Sequence, residues 1–234
     1  MNLFVKLLVA HLLGDFIFQS KKWVEHKIEY TYKSKYLYIH SLLHGILSWL
    51  LVFQIAFWPY VLVIMVTHYF IDLTKLIFQK NDKQKAWFFI DQALHLMVIG
   101  IVTWTYLGFE KIHFPDLTTK TWSIWAALIF LTTPTSVVIK ILMSSWTPKV
   151  GVQDNSLQNA GKFIGILERL LIFTFITTAH WEGIGFLIAA KSIFRFGDLQ
   201  ESKDRKMTEY ILIGTLLSFA IATLTGLMIS LSDD

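Results

Sequence analysis

Apolar stretches that approach the length of a bilayer crossing recur through this 234-residue chain and restrict the folds open to it. Hydrophobic residues make up 54% of the sequence and charged residues only 16%, whereas a soluble domain has roughly 25% charged residues. A transmembrane helix needs about 20 predominantly apolar residues. Because backbone groups in lipid must be satisfied internally, such stretches predict helices. We therefore expect an all-α, polytopic transmembrane bundle in a lipid bilayer.

The hydropathy pattern predicts about eight membrane helices. Their expected ranges are 3–20, 37–56, 59–79, 87–108, 121–145, 162–180, 182–196 and 207–230. Most loop lysines and arginines fall on one side, in the loops 21–36, 80–86, 146–161 and 197–206. The opposite loops contain only Lys111 and Lys120. By the positive-inside rule, the lysine-rich side is cytoplasmic and both termini are non-cytoplasmic.

Four of these helices each place two side chains of metal-ligand type four residues apart, on the same face of the helix. The pairs are His11 with Asp15, His40 with His44, His68 with Asp72, and Asp91 with His95. In the predicted topology all eight side chains fall at similar depth, in the cytoplasmic half of the membrane. Ionisable side chains inside a membrane are costly and usually mark function. The shared depth therefore predicts a single site.

The donor atoms of this layer are imidazole nitrogens and carboxylate oxygens, which suit zinc first and also manganese, iron or nickel. The chain has no cysteine, so disulfides and thiolate metal sites are excluded. Eight donors exceed one tetrahedral site, so we expect one or two divalent ions, with other side chains as hydrogen-bond partners of the ligands. A proton relay or a structural polar network is the alternative interpretation.

The segments HLLGDFIFQ, HYFIDLTK and DQALHL, together with the histidine-rich second helix, resemble a bacterial integral-membrane family of unknown function. The resemblance covers most of residues 1–108, and GKxIGxLER and KSIFRF signatures extend it into the C-terminal half. It implies a multi-pass protein of the bacterial cytoplasmic (inner) membrane with a metal site at the eight paired residues. It implies no substrate. The HxxxD spacing is also similar to that of membrane-bound metal-dependent hydrolases.

The chain is expected to form one membrane unit with two halves, a metal-site half at 1–108 and a second helical half at 109–234. The second half has its own charged group near the predicted cytoplasmic side. The group consists of Glu168, Arg169, Lys191, Arg195, Asp198 and Glu209. Three of its members are candidates for binding a phosphate, a lipid head group or a nucleotide, namely Arg169, Lys191 and Arg195. The three acidic members are candidates for structural ion pairs, the alternative to anion binding.

Together these features favour an intramembrane metal-dependent hydrolase acting at the cytoplasmic face on an amphipathic, lipid-linked or phosphorylated small molecule. Asp15, Asp72 or Asp91 would serve as general base, and we find no serine or cysteine nucleophile motif. One alternative is a transporter or channel for a divalent cation or protons. Another is a metal-stabilised membrane subunit that docks a cytoplasmic protein. Basic residues lie beside apolar spans rather than in a separate basic domain, which argues against nucleic-acid binding. The oligomeric state stays open.

Overall fold

The computed structural model describes residues 3–79, 83–108, 117–146, 155–201 and 205–231, without the side chains of 117–118, 155–160, 193–201 and 205–207. Within these residues the chain is all-helical and has no β-strand. The α-helices are α1 (Leu3–Leu12), α2 (Lys21–Tyr30), α3 (Lys35–Val52), α4 (Trp58–Phe78), α5 (Gln84–Leu107), α6 (Leu117–Phe130), α7 (Thr133–Met143), α8 (Asn155–Thr177), α9 (Trp181–Glu201) and α10 (Arg205–Ser230). A π-helical turn, Leu13–Phe18, continues α1.

Several of the described helices are long and apolar enough to span a membrane. Three do so individually: Ile55–Phe78, Gln84–Leu107 and Thr208–Ser230. Two bent pairs each add a crossing if the pair forms one span: Leu3–Phe18 with Lys21–Lys33, bent by 87°, and Thr119–Phe130 with Thr133–Met143, bent by 46°. The described residues thus contain three to five candidate spans, consistent with a membrane protein. The eight spans and the side on which the termini lie stay predictions.

The chain forms two compact units, residues 1–126 and 127–234. In the first unit α3 packs against α1 and α4, and α5 packs against α1 and α4. Its apolar core contains Leu3, Leu7, Val52, Phe57, Ile64, Ile99 and Val102. On α1 and α4 these core residues come before the His and Asp pairs in the sequence, and on α3 and α5 they come after them. The core therefore lies on the side away from α2. In the second unit α10 packs against α7 and α8, and α8 contacts α9.

Segment 21–36 was predicted to be a loop, and this prediction is wrong. The chain turns at Gln19 and Ser20, both in extended conformation, and then forms α2 at 87° to the preceding helix. The hydroxyl of Ser20 accepts a hydrogen bond from the backbone N–H of Trp23 at 3.4 Å, as an N-cap residue does. Most lysines of α2 face solvent, but Lys27 is buried. The lysine-rich segment is therefore largely helical, with one of its lysines turned inward.

The single helix predicted over 121–145 is broken in the structure. Helix α6 ends at Phe130, helix α7 begins at Thr133, and their axes differ by 46°. Pro134 lies in the first turn of α7. Proline has no N–H to donate and its ring clashes with the preceding turn, so a helix does not continue through it without a kink or break. The break exposes backbone carbonyl groups that need other partners.

Candidate metal centre

The first unit brings all eight paired side chains together. Seven of the eight residues are buried, and the carboxylate of Asp15 is 11% exposed. Helix α1 contributes His11 and the π-helical turn contributes Asp15. Helices α3, α4 and α5 contribute the other six, which are His40, His44, His68, Asp72, Asp91 and His95. We call this cluster the His–Asp layer.

The carboxylate of Asp15 lies at the centre of the layer. Its Oδ1 atom is 3.1 Å from Nε2 of His40 and 3.0 Å from Nε2 of His44. Nε2 of His68 is 3.7 Å from the same oxygen. Oδ2 accepts a hydrogen bond from the amide of Gln92 at 3.0 Å. One carboxylate therefore links α1 to α3, α4 and α5.

Asp15 owes its position to a local irregularity of the first helix. The π-helical turn widens the helix over Leu13–Phe18, and such turns occur frequently at functional sites. Gly14, in the same turn, lets the backbone approach the ring of His44. A Cβ atom at this glycine would lie 2.4 Å from both Cε1 and Nε2 of His44. The small residue and the turn together set the spacing between Asp15 and the α3 histidines.

The tautomer of His95 follows from its contact with the backbone. Its Nδ1 atom is 2.9 Å from the carbonyl oxygen of Asp91. Since a carbonyl only accepts, Nδ1 carries the hydrogen and Nε2 presents a lone pair. That Nε2 atom is buried and has no hydrogen-bond partner among the described residues, and the same holds for Nε2 of His68 and Oδ1 of Asp91. Buried nitrogen and oxygen atoms that lack a hydrogen-bond partner are suitable ligand atoms for a metal ion.

A small cavity of about 20 Å³ adjoins the layer on the core side. Four imidazoles line it, those of His11, His44, His68 and His95. The rest of its wall is formed by Leu7, Ser48, Ile64, Thr67, Val98 and Ile99. A cavity of this size has room for one water or ion.

Three overlapping groups of the layer could hold a metal ion. They are His11, Asp15, His44 and His68; His40, His68 and Asp72; and Asp15, Asp91 and His95. Within each group one donor atom per residue lies within 4.8 Å of the others. All donors are nitrogen or oxygen, as zinc, manganese, iron and nickel accept. Several members also form ion pairs or hydrogen bonds with one another.

Four polar residues that the sequence analysis did not assign to the site support it. Lys27 donates to Oδ2 of Asp72 at 2.7 Å, and Lys75 donates to Oδ2 of Asp91 at 2.9 Å. Gln92 contacts His11 at 3.2 Å, and Gln19 contacts Nε2 of His40 at 2.8 Å. These contacts orient the ligand-type side chains. Gln92 could have been found from the sequence, since it interrupts an apolar helix directly beside Asp91.

Arg169, a predicted anion ligand, is engaged inside the second unit. Its guanidinium donates to the carbonyl oxygens of Leu131 at 2.6 Å and Thr132 at 3.0 Å. It also donates to the hydroxyls of Ser136 at 2.7 Å and Ser218 at 3.1 Å. The first two acceptors are carbonyls at the break between α6 and α7. The contacts therefore favour a structural role for Arg169, and anion binding by this residue stays a prediction.

The other members of the C-terminal group lie apart from the His–Asp layer in the chain. Lys191 donates to Oε2 of Glu168 at 2.6 Å, an ion pair that joins α9 to α8. Glu209 lies on the exposed side of α10. Arg195 and Asp198 belong to the part of α9 whose side chains fall outside the described residues. No anion pocket can be assigned from the described contacts of this group.

A family model described as Protein of unknown function (DUF3307) matches residues 3–125. The chain belongs to this family. The DUF3307 match contains the whole His–Asp layer and its supporting residues, whereas Arg169 and the Glu168–Lys191 pair lie beyond it. Neither the curated proteins nor the solved structures yield a significant match to the chain.

Proposed function

We propose that this DUF3307 protein is a metal-dependent hydrolase of the bacterial cytoplasmic membrane. One divalent ion, with zinc as the first candidate, would bind in the His–Asp layer. The observation that carries the proposal is the pair of buried imidazole nitrogens, Nε2 of His68 and of His95, that lack hydrogen-bond partners in the described structure. Both histidines line the same small cavity. A bound zinc ion lowers the pKa of a coordinated water to about 7 and so supplies a nucleophile at neutral pH.

The residues that would hold this ion are those of the group centred on Asp15. His11, His44 and His68 surround it, and His95 faces the same cavity. A carboxylate with several imidazoles is a ligand set that catalytic zinc sites use. Gln92 fixes Asp15 through its amide, and the Asp91 carbonyl fixes the tautomer of His95. These contacts orient the ligand side chains before an ion binds. A side chain whose orientation is already fixed loses less entropy when it binds the ion.

The charge of the layer and of its two supporting lysines favours one ion rather than two. With the carboxylates and ammonium groups ionised and the imidazoles neutral, the three aspartates outweigh Lys27 and Lys75 by one negative charge. One divalent ion changes the net charge to +1, which a single anionic ligand neutralises. Two ions would leave +3. Uncompensated charge in a buried site costs several kcal/mol, so the single-ion state with one anion is favoured.

Asp91 is the best candidate for the general base. Lys75 and the amide of Gln92 both donate to its Oδ2 atom, at 2.9 and 3.2 Å. Its Oδ1 atom is buried and accepts no hydrogen bond from the described residues. That oxygen can therefore accept a proton from a water in the site. Asp72 is paired with Lys27, and Asp15 is surrounded by imidazoles, so both suit structural or ligand roles better.

The surroundings of the layer support an amphipathic substrate. Helix α2 exposes Val24, Ile28 and Tyr30 together with two lysines, as helices at a membrane interface do. Among the charged groups in and beside the layer, the least buried are Lys75, 27% exposed, and Asp15, 11% exposed. An ester or phosphoester group could approach there, with its apolar part in the lipid. We therefore propose an ester or phosphoester of a lipid-like molecule.

The proposal can be tested with purified, zinc-loaded protein in detergent micelles and a panel of lipid phosphates and carboxylic esters. Wild type should hydrolyse one class. Asp91→Asn should reduce the rate by about 10²–10⁴-fold, the usual contribution of a general base, while keeping the bound zinc. The double variant Asp15→Ala, His44→Ala should lose both zinc and activity. Equal rates for wild type and Asp91→Asn would exclude Asp91 as the base, and no turnover by zinc-loaded protein would argue against a hydrolase.

Transport of a divalent cation is a second candidate function, and the irregular first helix favours it. A π-helical turn holds Asp15, and the chain bends by 87° a few residues later. Transporters commonly place interrupted helices beside their ion sites. Liposomes that contain a metal-sensitive dye would separate the two functions. Saturable zinc uptake by wild type, abolished in the double variant and unaccompanied by hydrolysis, would replace the hydrolase proposal.

A further inference from the structure

Helix α2 runs almost at a right angle to the helix that precedes it. The segments Leu3–Phe18 and Lys21–Lys33 are bent by 87° relative to each other. Helix α1, in the first segment, packs against α5, which is long and apolar enough to span a membrane. Packed membrane helices cross at angles of about 20–40° and tilt on average by about 20° from the bilayer normal. A helix perpendicular to α1 therefore runs close to the plane of the membrane.

The surface of α2 has three sides that differ in character. Lys27 marks the side that faces the first unit, because it is 5% exposed. At 3.6 residues per turn, Val24 and Ile28 lie about 60° and 100° around the helix from Lys27, both in the same direction. Glu25 and Glu29 are exposed and lie about 160° from Lys27, on the opposite side of the helix. Helix α2 thus has an inner side, an apolar flank and a charged outer side.

The apolar flank of α2 is exposed in the first unit. Val24 is 36% exposed and Ile28 is 64% exposed. The two residues that end the π-helical turn just before α2, Ile17 and Phe18, are exposed as well. Apolar surface is costly to leave in water and is stabilised when it contacts an apolar environment. Since the preceding helix belongs to a membrane bundle, lipid acyl chains are the apolar environment nearest to this flank.

Ring contacts attach α2 to the start of α3. Trp23 stacks on Tyr36 with the ring centroids 5.4 Å apart, and the centroid of His26 is 5.0 Å from that of Tyr36. Nδ1 of His26 is also 2.8 Å from the hydroxyl oxygen of Ser34. These contacts hold α2 in one orientation relative to the bundle. Tryptophan and tyrosine are also the residues enriched where a membrane helix meets the lipid–water interface.

The charges around α2 fit the cytoplasmic surface of a membrane. Four lysines at the two ends of the helix are exposed: Lys21, Lys22, Lys33 and Lys35. They outnumber the two exposed acidic residues of the same segment, Glu25 and Glu29. Lysines next to membrane spans favour the cytoplasmic side and are attracted to the anionic lipids of that leaflet.

We propose that α2 lies in the cytoplasmic lipid–water interface, parallel to the membrane, with Val24 and Ile28 among the acyl chains and its outer side in water. The partner of the apolar flank is thus the lipid bilayer. A soluble protein would meet the outer side, which carries Glu25 and Glu29 rather than apolar residues. The inference goes beyond the proposed function and involves no metal.

This placement of α2 also sets the depth of the His–Asp layer. Lys27 donates from α2 to Oδ2 of Asp72 at 2.7 Å, so the layer lies within reach of one lysine side chain from the helix. With α2 among the lipid head groups, the layer is directly beneath them. The cytoplasmic half of the membrane, where the sequence pattern predicts the layer, is the same location.

The inference can be tested by fluorescence quenching, because the chain contains no cysteine and a single introduced thiol is labelled without background. Four full-length variants are labelled with a nitrobenzoxadiazole fluorophore: Val24→Cys, Glu25→Cys, Ile28→Cys and Glu29→Cys. All four replace exposed residues, and each apolar position has a matched control at the next residue. The proteins are placed in nanodiscs of phosphatidylethanolamine and phosphatidylglycerol, which leave both membrane faces open to solvent and contain no soluble partner.

The labels on the apolar flank, Val24→Cys and Ile28→Cys, should be quenched by lipids whose nitroxide lies about 5–10 Å below the head groups, the depth of interfacial helices. The labels at Glu25→Cys and Glu29→Cys should instead be quenched by iodide in the aqueous phase. The preferred quencher should therefore reverse between neighbouring positions.

Two results would overturn the inference. Quenching by iodide at all four positions would show that the apolar flank of α2 lies in water, free for a soluble protein. Strongest quenching at all four positions by a nitroxide at the bilayer centre would show that α2 crosses the membrane. Neither result would bear on zinc binding or hydrolysis, so the proposed function is tested separately.

Discussion

Nδ1 of His95 lies 2.9 Å from the backbone carbonyl oxygen of Asp91, one turn earlier on α5. This contact assigns the hydrogen to Nδ1 and leaves Nε2 as a lone-pair donor. The ring cannot turn to satisfy Nε2 elsewhere without losing the bond to the carbonyl. The helix thus holds His95 in the tautomer and orientation that metal-binding histidines adopt.

Replacing His95 should weaken zinc binding while the fold is retained. We expect His95→Ala to lower zinc affinity by at least about 10–100-fold, the loss measured even for hydrogen-bond partners of ligands. A competition titration with a chromophoric chelator measures this affinity. His26→Ala is the control, because His26 contacts the hydroxyl of Ser34 outside the layer. Unchanged affinity in His95→Ala would show that its free nitrogen is not a ligand.

Gly14→Ala should disturb the layer from the backbone side. The added methyl group would lie 2.4 Å from two ring atoms of His44, so the ring or the π-helical turn must shift. Overpacking of this kind usually destabilises by about 1–3 kcal/mol, and we expect zinc affinity to fall as well. Gly100→Ala is the matched control, since a Cβ there would meet no described atom within 4 Å. Unfolding in detergent measures stability, and equal behaviour of the two variants would contradict the proposed role of Gly14.

The layer itself could be predicted from the sequence because two simple rules apply to it. Four-residue spacing places His68 and Asp72 on one helix face, and distance from the loops sets their depth. The same rules apply to all four helices, so the four pairs can be assigned to one site without knowledge of the tertiary structure. The structure brings these residues into one cluster, as the spacing suggested.

Lys27 could not be assigned in this way, because its role depends on how α2 folds back. Nothing local distinguishes Lys27 from the exposed Lys22, and only packing against Asp72 does. The break between α6 and α7 could have been predicted from Pro134. Hydropathy averaged over 121–145 hides this proline.

Zinc removal should destabilise the wild-type protein but not the double variant that lacks Asp15 and His44 as ligands. An ion present at 100 times its Kd stabilises the folded state by about 2.7 kcal/mol, so a chelator should lower the Tm measurably. The double variant Asp15→Ala, His44→Ala should show no chelator response. Thermal unfolding followed by tryptophan fluorescence, with and without EDTA, measures both. An equal shift in the two proteins would place the stabilising ion outside the layer.

Arg169 should prove important for stability rather than for metal binding. Its guanidinium satisfies the carbonyls of Leu131 and Thr132, and an unpaired buried polar group costs about 1–3 kcal/mol. Arg169→Ala should therefore lose several kcal/mol, with the zinc count unchanged. Lys162→Ala, on the exposed face of the same helix, should be near neutral. A stable Arg169→Ala protein that loses affinity for inorganic phosphate would instead support the anion-binding role.

The most direct test of the metal centre is X-ray absorption spectroscopy at the zinc edge, combined with elemental analysis of protein purified without chelator. We expect a stoichiometric ion with several imidazole nitrogens at about 2.0–2.1 Å and a carboxylate oxygen, as in other zinc sites. The double variant Asp15→Ala, His44→Ala should lose that spectrum. Folded wild-type protein that binds no stoichiometric metal after supplementation with zinc, manganese or iron would contradict the account, and proton flux in liposomes would then become the relevant measurement.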